Sequence, residues 1–317
     1  MGRILITGAL GQIGTELSAK LSEIYGKDNV VATDIRGEHV HNPAGHYEVL
    51  DVMDSEKTKT IMEKYNVRTV YHLASLLSGT AEKNPELAWK LNINPLLYFL
   101  NLAKDHVIDQ LFWPSSIAVF GREIPKQNVG QEVPLNPSTV YGITKLAGEK
   151  WCEYYHDKYG VDVRSVRYPG LISWKAPAGG GTTDYAVEIY YKAIEDGQYT
   201  SFISEDTAMP MLYMDDAINA TLKLMHATKE QLTVHGSYNL GGMSFTPKEL
   251  AASIQKEVPD FRISYAPDFR QAIADSWPAS IDDSVAKKDW GLSYDFDMDA
   301  MTHDMLKNLK VKLGAMI

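Results

Sequence analysis

The feature that most limits how this chain can fold is an alternation. "RILITG" (3–8), "NVVATD" (29–34), "HYEVLDV" (46–52), "VRTVYHLA" (67–74), "DQLFWPSS" (109–116) and "VDVRSVRYPG" (161–170) are short apolar runs that end in turn or polar residues. Each reads as a strand. Between them, "GQIGTELSAKLSEIYG", "DSEKTKTIMEKYN", "ELAWKLNINPLLYFLNLAKDH" and "STVYGITKLAGEKWCEYYHDKYG" repeat their apolar residues at helical spacing. Strands alternating with helices of this length make parallel βαβ units, with helices on both faces of the sheet. Right-handed crossovers then wind the sheet in both directions. The expected fold is α/β, a Rossmann-type doubly wound parallel sheet with a smaller C-terminal lobe.

After Gly170 the texture changes. "LISWKAPAGGGTTD" carries three consecutive glycines and reads as a loop. Helical patterns follow at 183–196 and 215–228, then "SYNLGG" as a short strand. From "TPKELAASIQKEVPD" onward the expectation is helix, strand, loop and terminal helix. We therefore expect a nucleotide-binding domain over 1–170, with segments near 215–242 returning to it, and a substrate lobe over most of 171–317. With 317 residues, one large domain or two joined ones fit.

"TGALGQIG" (7–14) follows the first strand and opens the first helix, with glycines at 8, 11 and 14. Gly8 suits a tight turn, Gly11 a close backbone approach to a pyrophosphate, and Gly14 close packing of helix on strand. Gln12 and Ile13 then present the helix N-terminus, a natural seat for phosphate. Asp34 ends the next strand, 20 positions beyond Gly14, where a carboxylate can hold a ribose 2′-hydroxyl. That carboxylate favours NAD over NADP. Arg36, two residues on with Ile35 between, is a counter-signal because arginine can accept a 2′-phosphate.

Ser115 and Ser116 close the fifth strand, at the sheet end where ligands bind in open α/β folds. Tyr141 lies 25 residues beyond Ser116, and Lys145 four beyond that. Positions i and i+4 share one helix face. Oxidising a secondary alcohol requires removal of its hydroxyl proton, and a phenol with a pKa of about 10 is too weak a base at neutral pH. A neighbouring ammonium and a cationic cofactor ring favour phenolate, so the expectation is a lowered Tyr141 pKa. A serine hydroxyl would orient the substrate oxygen. Taken alone the Tyr/Lys spacing reads as helix packing; behind the glycine fingerprint, Asp34 and the serines it reads as a catalytic set.

Together these residues resemble the extended short-chain dehydrogenase/reductase family over nearly the whole chain. The match comprises the glycine turn, Asp34, "DV" (51–52), "HLAS" (72–75), "LNIN" (91–94), "SSIAVFG" (115–121), the Tyr141/Lys145 pair and "RYPG" (167–170). The resemblance implies that Asp51 and Val52 contact adenine and that Leu73, Ala74 and Ser75 line the dinucleotide. It implies that Asn92 supports the site, and that Tyr168 and Leu171 lie by the nicotinamide, with Ile172. It departs at "VFG", where sugar-nucleotide members often carry "VYG", and at Ser75. Three further stretches, "PAGGGTTDYAVEIYYKAI" (177–194), "MPMLYMDDAI" (209–218) and "SWPASIDDSVAKKDWGL" (276–292), resemble the threonine-oxidising branch. That implies L-threonine as a small-molecule substrate, with Ser78, Ser115, Tyr141, Thr182, Thr183 and Asp184 as substrate-side groups. Without the resemblance, the 177–184 stretch reads as a flexible loop with a helix cap. A UDP-sugar epimerase or dehydratase shares the cofactor and the Tyr/Lys chemistry, but must house a large anion. Arg262 and Arg270 are the basic residues in the second lobe that bear on that alternative. A third reading is an idle NAD-binding sensor.

Charge and cysteine content narrow the remaining classes. A formal net charge of -10 argues against a nucleic-acid partner. A single cysteine, Cys152, permits neither an intrachain disulfide nor a cysteine-rich zinc site, and is expected to pack in a helix. His39, His41 and His46 cluster in a stretch that reads as a polar surface loop, so no metal is expected. No run approaches 18 apolar residues and the first strand starts almost at once, so no membrane span or secretory leader is expected. A reducing cytoplasm is the simplest setting. The helices over 86–105 and 139–159 resemble those that pair across the family's dimer, which implies a homodimer.

Overall fold

The computed structural model describes residues 2–37, 44–176, 179 and 181–314. His39, His41, Pro177, Ala178 and Gly180, singled out above, lie outside the described residues. The chain forms two compact units and passes between them five times. The first comprises Met1–Val119, Pro137–Arg167 and Ala220–Tyr238; the second comprises Phe120–Asn136, Tyr168–Asn219 and Asn239–Ile317.

In order, the first half of the chain forms β1 (Arg3–Thr7), α1 (Gln12–Tyr25), β2 (Val30–Asp34), β3 (His46–Val49), α2 (Ser55–Tyr65), β4 (Val67–His72), α3 (Ser78–Lys83), α4 (Pro85–Lys104), β5 (Gln110–Phe112), β6 (Ser115–Ser116), α5 (Val140–Tyr159) and β7 (Val163–Arg164). Six of these strands form one parallel sheet in the order β3-β2-β1-β4-β5-β7. The order reverses beside β1, as a doubly wound fold requires. The run expected as one strand over 109–116 is interrupted at Trp113–Pro114, and Pro114 has no amide proton to donate to a ladder. The run over 161–170 likewise breaks into β7, β8 (Val166–Tyr168) and the start of β9 (Gly170–Ile172), with Pro169 at the second break.

Side chains from one face of this sheet, with those of α2, α4 and α5, fill the first core. Leu5, Val31, Val70, Leu96, Phe99, Leu100, Leu111 and Trp113 are almost wholly removed from water. Each fully buried aliphatic side chain contributes about 1.5–3 kcal/mol. Cys152 sits in the same cluster, fully buried, and burial pushes its thiol pKa up, as suits an inert packing residue.

The remaining elements are α6 (Tyr185–Glu195), β10 (Gln198–Ser201), β11 (Met209–Tyr213), α7 (Met214–His226), β12 (Tyr238–Asn239), β13 (Met243–Phe245), α8 (Pro247–Glu257), β14 (Arg262–Tyr265), α9 (Phe269–Ala274), α10 (Ser284–Trp290) and α11 (Met298–Lys312). In the second unit β11 pairs parallel with β9 and antiparallel with β13, and β10 pairs parallel with β14. Helices α6, α8 and α11 pack on one another there. Thr246 and Glu249 form a reciprocal capping box that starts α8. Tyr190 and Ser253 both bond the buried Thr302 hydroxyl, at 2.9 and 3.0 Å, which joins the three helices.

Candidate active site

The glycine turn is built as its spacing requires. Gly8 has φ +69°, and a Cβ there would meet the Ala74 amide nitrogen at 2.8 Å. At Gly14 a Cβ would lie 2.3 Å from the Gly8 carbonyl oxygen. Gly11 is the N-cap of α1; no side chain caps this helix and its first turn carries no acidic residue. Its positive end is therefore open to an anion. Gln12 and Ile13 form the first turn and are half-buried.

Asp34 ends β2 and is buried. Oδ2 accepts the Leu10 amide at 3.0 Å and Arg36 Nη2 at 3.2 Å. Oδ1 accepts Arg36 Nε at 3.0 Å and the Arg36 amide at 3.2 Å. Burial raises the carboxyl pKa, but the bonds from Arg36 and Leu10 outweigh it and hold it below its usual value. Arg36 thus lies on the carboxylate instead of reaching for a phosphate. Ile35 is exposed.

The loop after β4 closes over the glycine turn. Thr7 O accepts the Leu73 amide at 3.1 Å, and Thr7 Oγ1 bonds His72 Nδ1 at 2.7 Å. His72 is fully buried, and desolvation together with the nearby Lys145 ammonium lowers its pKa to about 3, so the ring is neutral. Asn92, buried in α4, accepts Ser75 Oγ at 3.1 Å and the Leu76 amide at 2.8 Å. Its Nδ2 donates to Thr144 Oγ1 at 3.0 Å, and Thr144 Oγ1 donates to Tyr141 O at 2.8 Å. One amide side chain therefore ties the 75–76 loop to the helix that carries the Tyr/Lys pair. Ser78 is half-buried and begins α3. Asp51 is exposed and accepts the Met53 amide, whereas Val52 packs into the first core.

Helix α5 starts one residue before Tyr141. Thr139 is its N-cap, accepting the Gly142 amide on Oγ1 at 3.0 Å, and Gly160 closes it in the left-handed conformation. Gly142 lets the helix start lie against the 117–119 turn, since a Cβ there would sit 2.2 Å from Ala118 O. Tyr141 is half-buried, and the neighbouring Ser116 hydroxyl acts to lower its phenol pKa. Lys145 is buried; Nζ donates to Pro114 O at 2.7 Å and lies 4.5 Å from the Trp113 ring centroid and 5.4 Å from that of Tyr141. Gly148 makes room for the indole, because a Cβ there would meet Trp113 Cη2 at 2.3 Å.

The titration of the pair departs from the lowered phenol expected above. Burial pushes Tyr141 up to about 12, against the neighbouring Ser116 hydroxyl, which lowers it. Burial also brings Lys145 down to about 7, against the carboxylate of Glu149 that raises it. Desolvation penalises both charged forms. The sequence shows the pair but not the dryness of its surroundings.

The two serines part ways. Ser116 lies beside Tyr141 and accepts the Ala118 amide at 3.2 Å, while Ser115, 2% exposed, donates to Glu149 Oε1 at 2.5 Å. Neighbouring strand residues point to opposite faces, so only Ser116 shares a face with Tyr141. Glu149, Trp113, Thr144 and His72 were not identified by sequence reading. Glu149 was open to discovery, being Tyr141 plus eight on the same helix stripe.

In the second unit, Tyr168 is buried and Leu171 is half-buried in β9, level with Leu212 of β11. Thr182 is buried; Thr183 packs over Gly170, where a Cβ would meet its Cγ2 at 2.7 Å. Asp184 Oδ2 accepts the Gly181 amide at 2.6 Å just before α6. Arg270 is held by Asp268, with Nη2 to Oδ2 at 2.7 Å, and its guanidinium lies 3.1 Å from the Phe202 ring centroid. No group of three or more His, Cys, Asp or Glu suited to a metal occurs among the described residues, nor a helix long and apolar enough to cross a membrane.

A family profile described as the NAD dependent epimerase/dehydratase family matches residues 4–241. An uncharacterized epimerase/dehydratase of Staphylococcus haemolyticus is 52% identical over 98% of this chain and 99% of its own. The GalE-like L-threonine dehydrogenase from Cupriavidus necator, in its holo form, is 51% identical with a TM-score of 0.95, covering 97% of this chain and 100% of that one. A monomeric L-threonine 3-dehydrogenase from a metagenome, in its apo form, is 50% identical with a TM-score of 0.93, covering 98% and 99%.

Proposed function

The chain belongs to the NAD dependent epimerase/dehydratase family, and on that premise we propose that it oxidises the β-hydroxyl of L-threonine to 2-amino-3-oxobutyrate. The fold is Rossmann-like and the cofactor is NAD. The observation that carries the threonine reading is the full-length likeness, near 51% identity, to solved L-threonine dehydrogenases, joined to a Ser116–Tyr141–Lys145 set assembled from β6 and α5. A small substrate also suits the second unit, where Asp268 already neutralises Arg270.

The glycine cradle, the uncapped α1 and the buried Asp34 fit an anionic dinucleotide. In this reading Gly8–Gly14 hold its diphosphate and Asp34 its adenine ribose. Asp51, Val52 and Leu73–Ser75 flank it, and Lys145, Tyr168 and Leu171 serve the nicotinamide end. NAD, when bound, would supply the acceptor for the hydride that leaves the substrate carbon. Tyr141 Oη takes the hydroxyl proton as general base. Ser116 Oγ orients the substrate oxygen. Lys145, fixed by Pro114 O and the Trp113 face, supplies the cation that stabilises phenolate. Ser78, Thr182, Thr183 and Asp184 are assigned to the substrate's charged groups. Ser115 supports the strand from Glu149. The single buried thiol suits a cytoplasmic setting, and a homodimer through α4 and α5 is part of the reading.

The deciding assay offers NAD or NADP with L-threonine, D-threonine, L-serine and UDP-sugars, and follows absorbance of the reduced cofactor. L-threonine with NAD is expected to give a rise, D-threonine far less, and Tyr141→Phe none while NAD still binds. Turnover of a UDP-sugar with silence toward L-threonine would replace this reading by the epimerase one.

A further inference from the structure

Glu149 and Arg167 are buried charges, 2% and 5% exposed, outside the set assigned to the chemistry. Arg167 Nε donates to Glu149 Oε1 at 3.0 Å and Nη2 donates to Oε2 at 2.9 Å. Such a pair loses much of its Coulomb gain to desolvation, so stability alone is a weak reason for it. The same carboxylate also takes the Ser115 hydroxyl.

The result is a three-point seam. Tyr141, Lys145 and Glu149 stand at i, i+4 and i+8, one stripe of α5. They meet three consecutive residues: Lys145 Nζ donates to Pro114 O, Ser115 Oγ donates to Glu149 Oε1, and Ser116 neighbours the Tyr141 phenol. Since Ser115 and Ser116 are neighbours on an extended backbone, holding one side chain fixes the direction of the other. Lys145 depends on the same segment for its carbonyl.

We propose that Glu149, backed by Arg167, is a positioning residue: through Ser115 it locks residues 114–116 against α5 and so sets the placement of Ser116 beside Tyr141 and the seat of Lys145. The proposal rests on reading Tyr141 as the base. Glu149 touches none of the reacting atoms.

Two variants test it. Ser115→Ala cuts the tether and leaves both buried charges paired. Glu149→Asp keeps the charge but is too short to hold Ser115 and Arg167 together. Both are expected to lower kcat for threonine oxidation ~10–100-fold, the scale of a small misplacement, with KM for NAD within about twofold of wild type. In both, the acid limb of kcat/KM is expected to rise by about one pH unit as water reaches the loosened ammonium. A substrate-free readout accompanies these. In lysine-labelled protein followed by NMR, the Lys145 resonance, identified by its loss in Lys145→Met, is expected to titrate about one unit higher in each variant. A purely structural ion pair would lower Tm and leave the acid limb and the Lys145 midpoint at wild-type values; that result overturns the proposal. Should wild type fail to oxidise threonine, the substrate reading falls, and the Lys145 midpoint still decides the role of Glu149. Should Glu149→Asp not fold, Ser115→Ala decides alone.

Discussion

In the proposed reading, Tyr141 and Lys145 set the pH behaviour of the site as a pair. Lys145 loses its proton near 7 and Tyr141 only near 12. Below about 7, both groups are protonated and the phenol cannot accept a proton. Above it the pair holds one proton, and a neutral lysine beside a phenol carries the same count as an ammonium beside a phenolate. The active form therefore becomes available as the first proton leaves the pair, so the midpoint belongs to both residues. We expect kcat/KM for L-threonine to climb with pH through an acid limb centred near 7, and Lys145→Met to move that limb to more alkaline pH. A flat profile from pH 6 to 9 would refute this. The sequence made the identity and spacing of the pair legible, as it did Gly8, Gly14 and Asp34. It did not reveal which serine shares a face with Tyr141, because that depends on the face each residue of a two-residue strand presents. Nor did it reveal the raised phenol, because burial is a property of the packed molecule.

At the scale of elements, α5 is the part that converts sequence spacing into a site. One stripe, Tyr141, Lys145, Glu149 and Cys152, faces inward; its spacing of four, four and three residues is that of a single helix face. Trp113 lies under this stripe, and Gly148 is the gap that admits it. Gly148→Ala is expected to overpack the contact, since its Cβ would fall 2.3 Å from the indole. The cost of overpacking is about 1–3 kcal/mol, and Lys145 would lose its aromatic seat as the ring retreats. Calorimetry should show a lower Tm, and kcat should fall with it; an unchanged Tm would mean that the indole moves aside freely. Element types over the first 170 residues were readable from periodicity, because regular βαβ units repeat one pattern. The short breaks at Pro114 and Pro169 were less so, since the expected strands ran through both prolines. Strands β10 and β14 lie far apart in the chain, and nothing local shows that they pair.

At the scale of the whole molecule, α5 carries a second stripe opposite the first. Ile143, Ala147, Trp151 and Tyr154 recur at the same four, four, three spacing, and Ile143, Trp151 and Tyr154 are exposed. Helix α4 packs beside α5 and exposes Leu87 and Trp89, the latter 45% open to solvent. Two adjacent helices with bare aromatic and aliphatic side chains form the kind of patch that a partner usually covers. A second copy of the chain would bring the same patch to its own equivalent around a two-fold axis. A relative at 50% identity is described as monomeric, so the fold does not oblige pairing and the surface residues must decide. Light scattering on the purified protein is expected to give twice 35.4 kDa, and a Trp89→Glu/Tyr154→Glu double variant a single 35.4 kDa chain, because each carboxylate would be buried unpaired in the interface. Tyr141 and Lys145 stand on the opposite stripe of α5, so that monomer should keep the proposed pH limb near 7. A wild type that already scatters as one chain at high concentration would remove the dimer and leave the inward stripe, and the chemistry assigned to it, untouched.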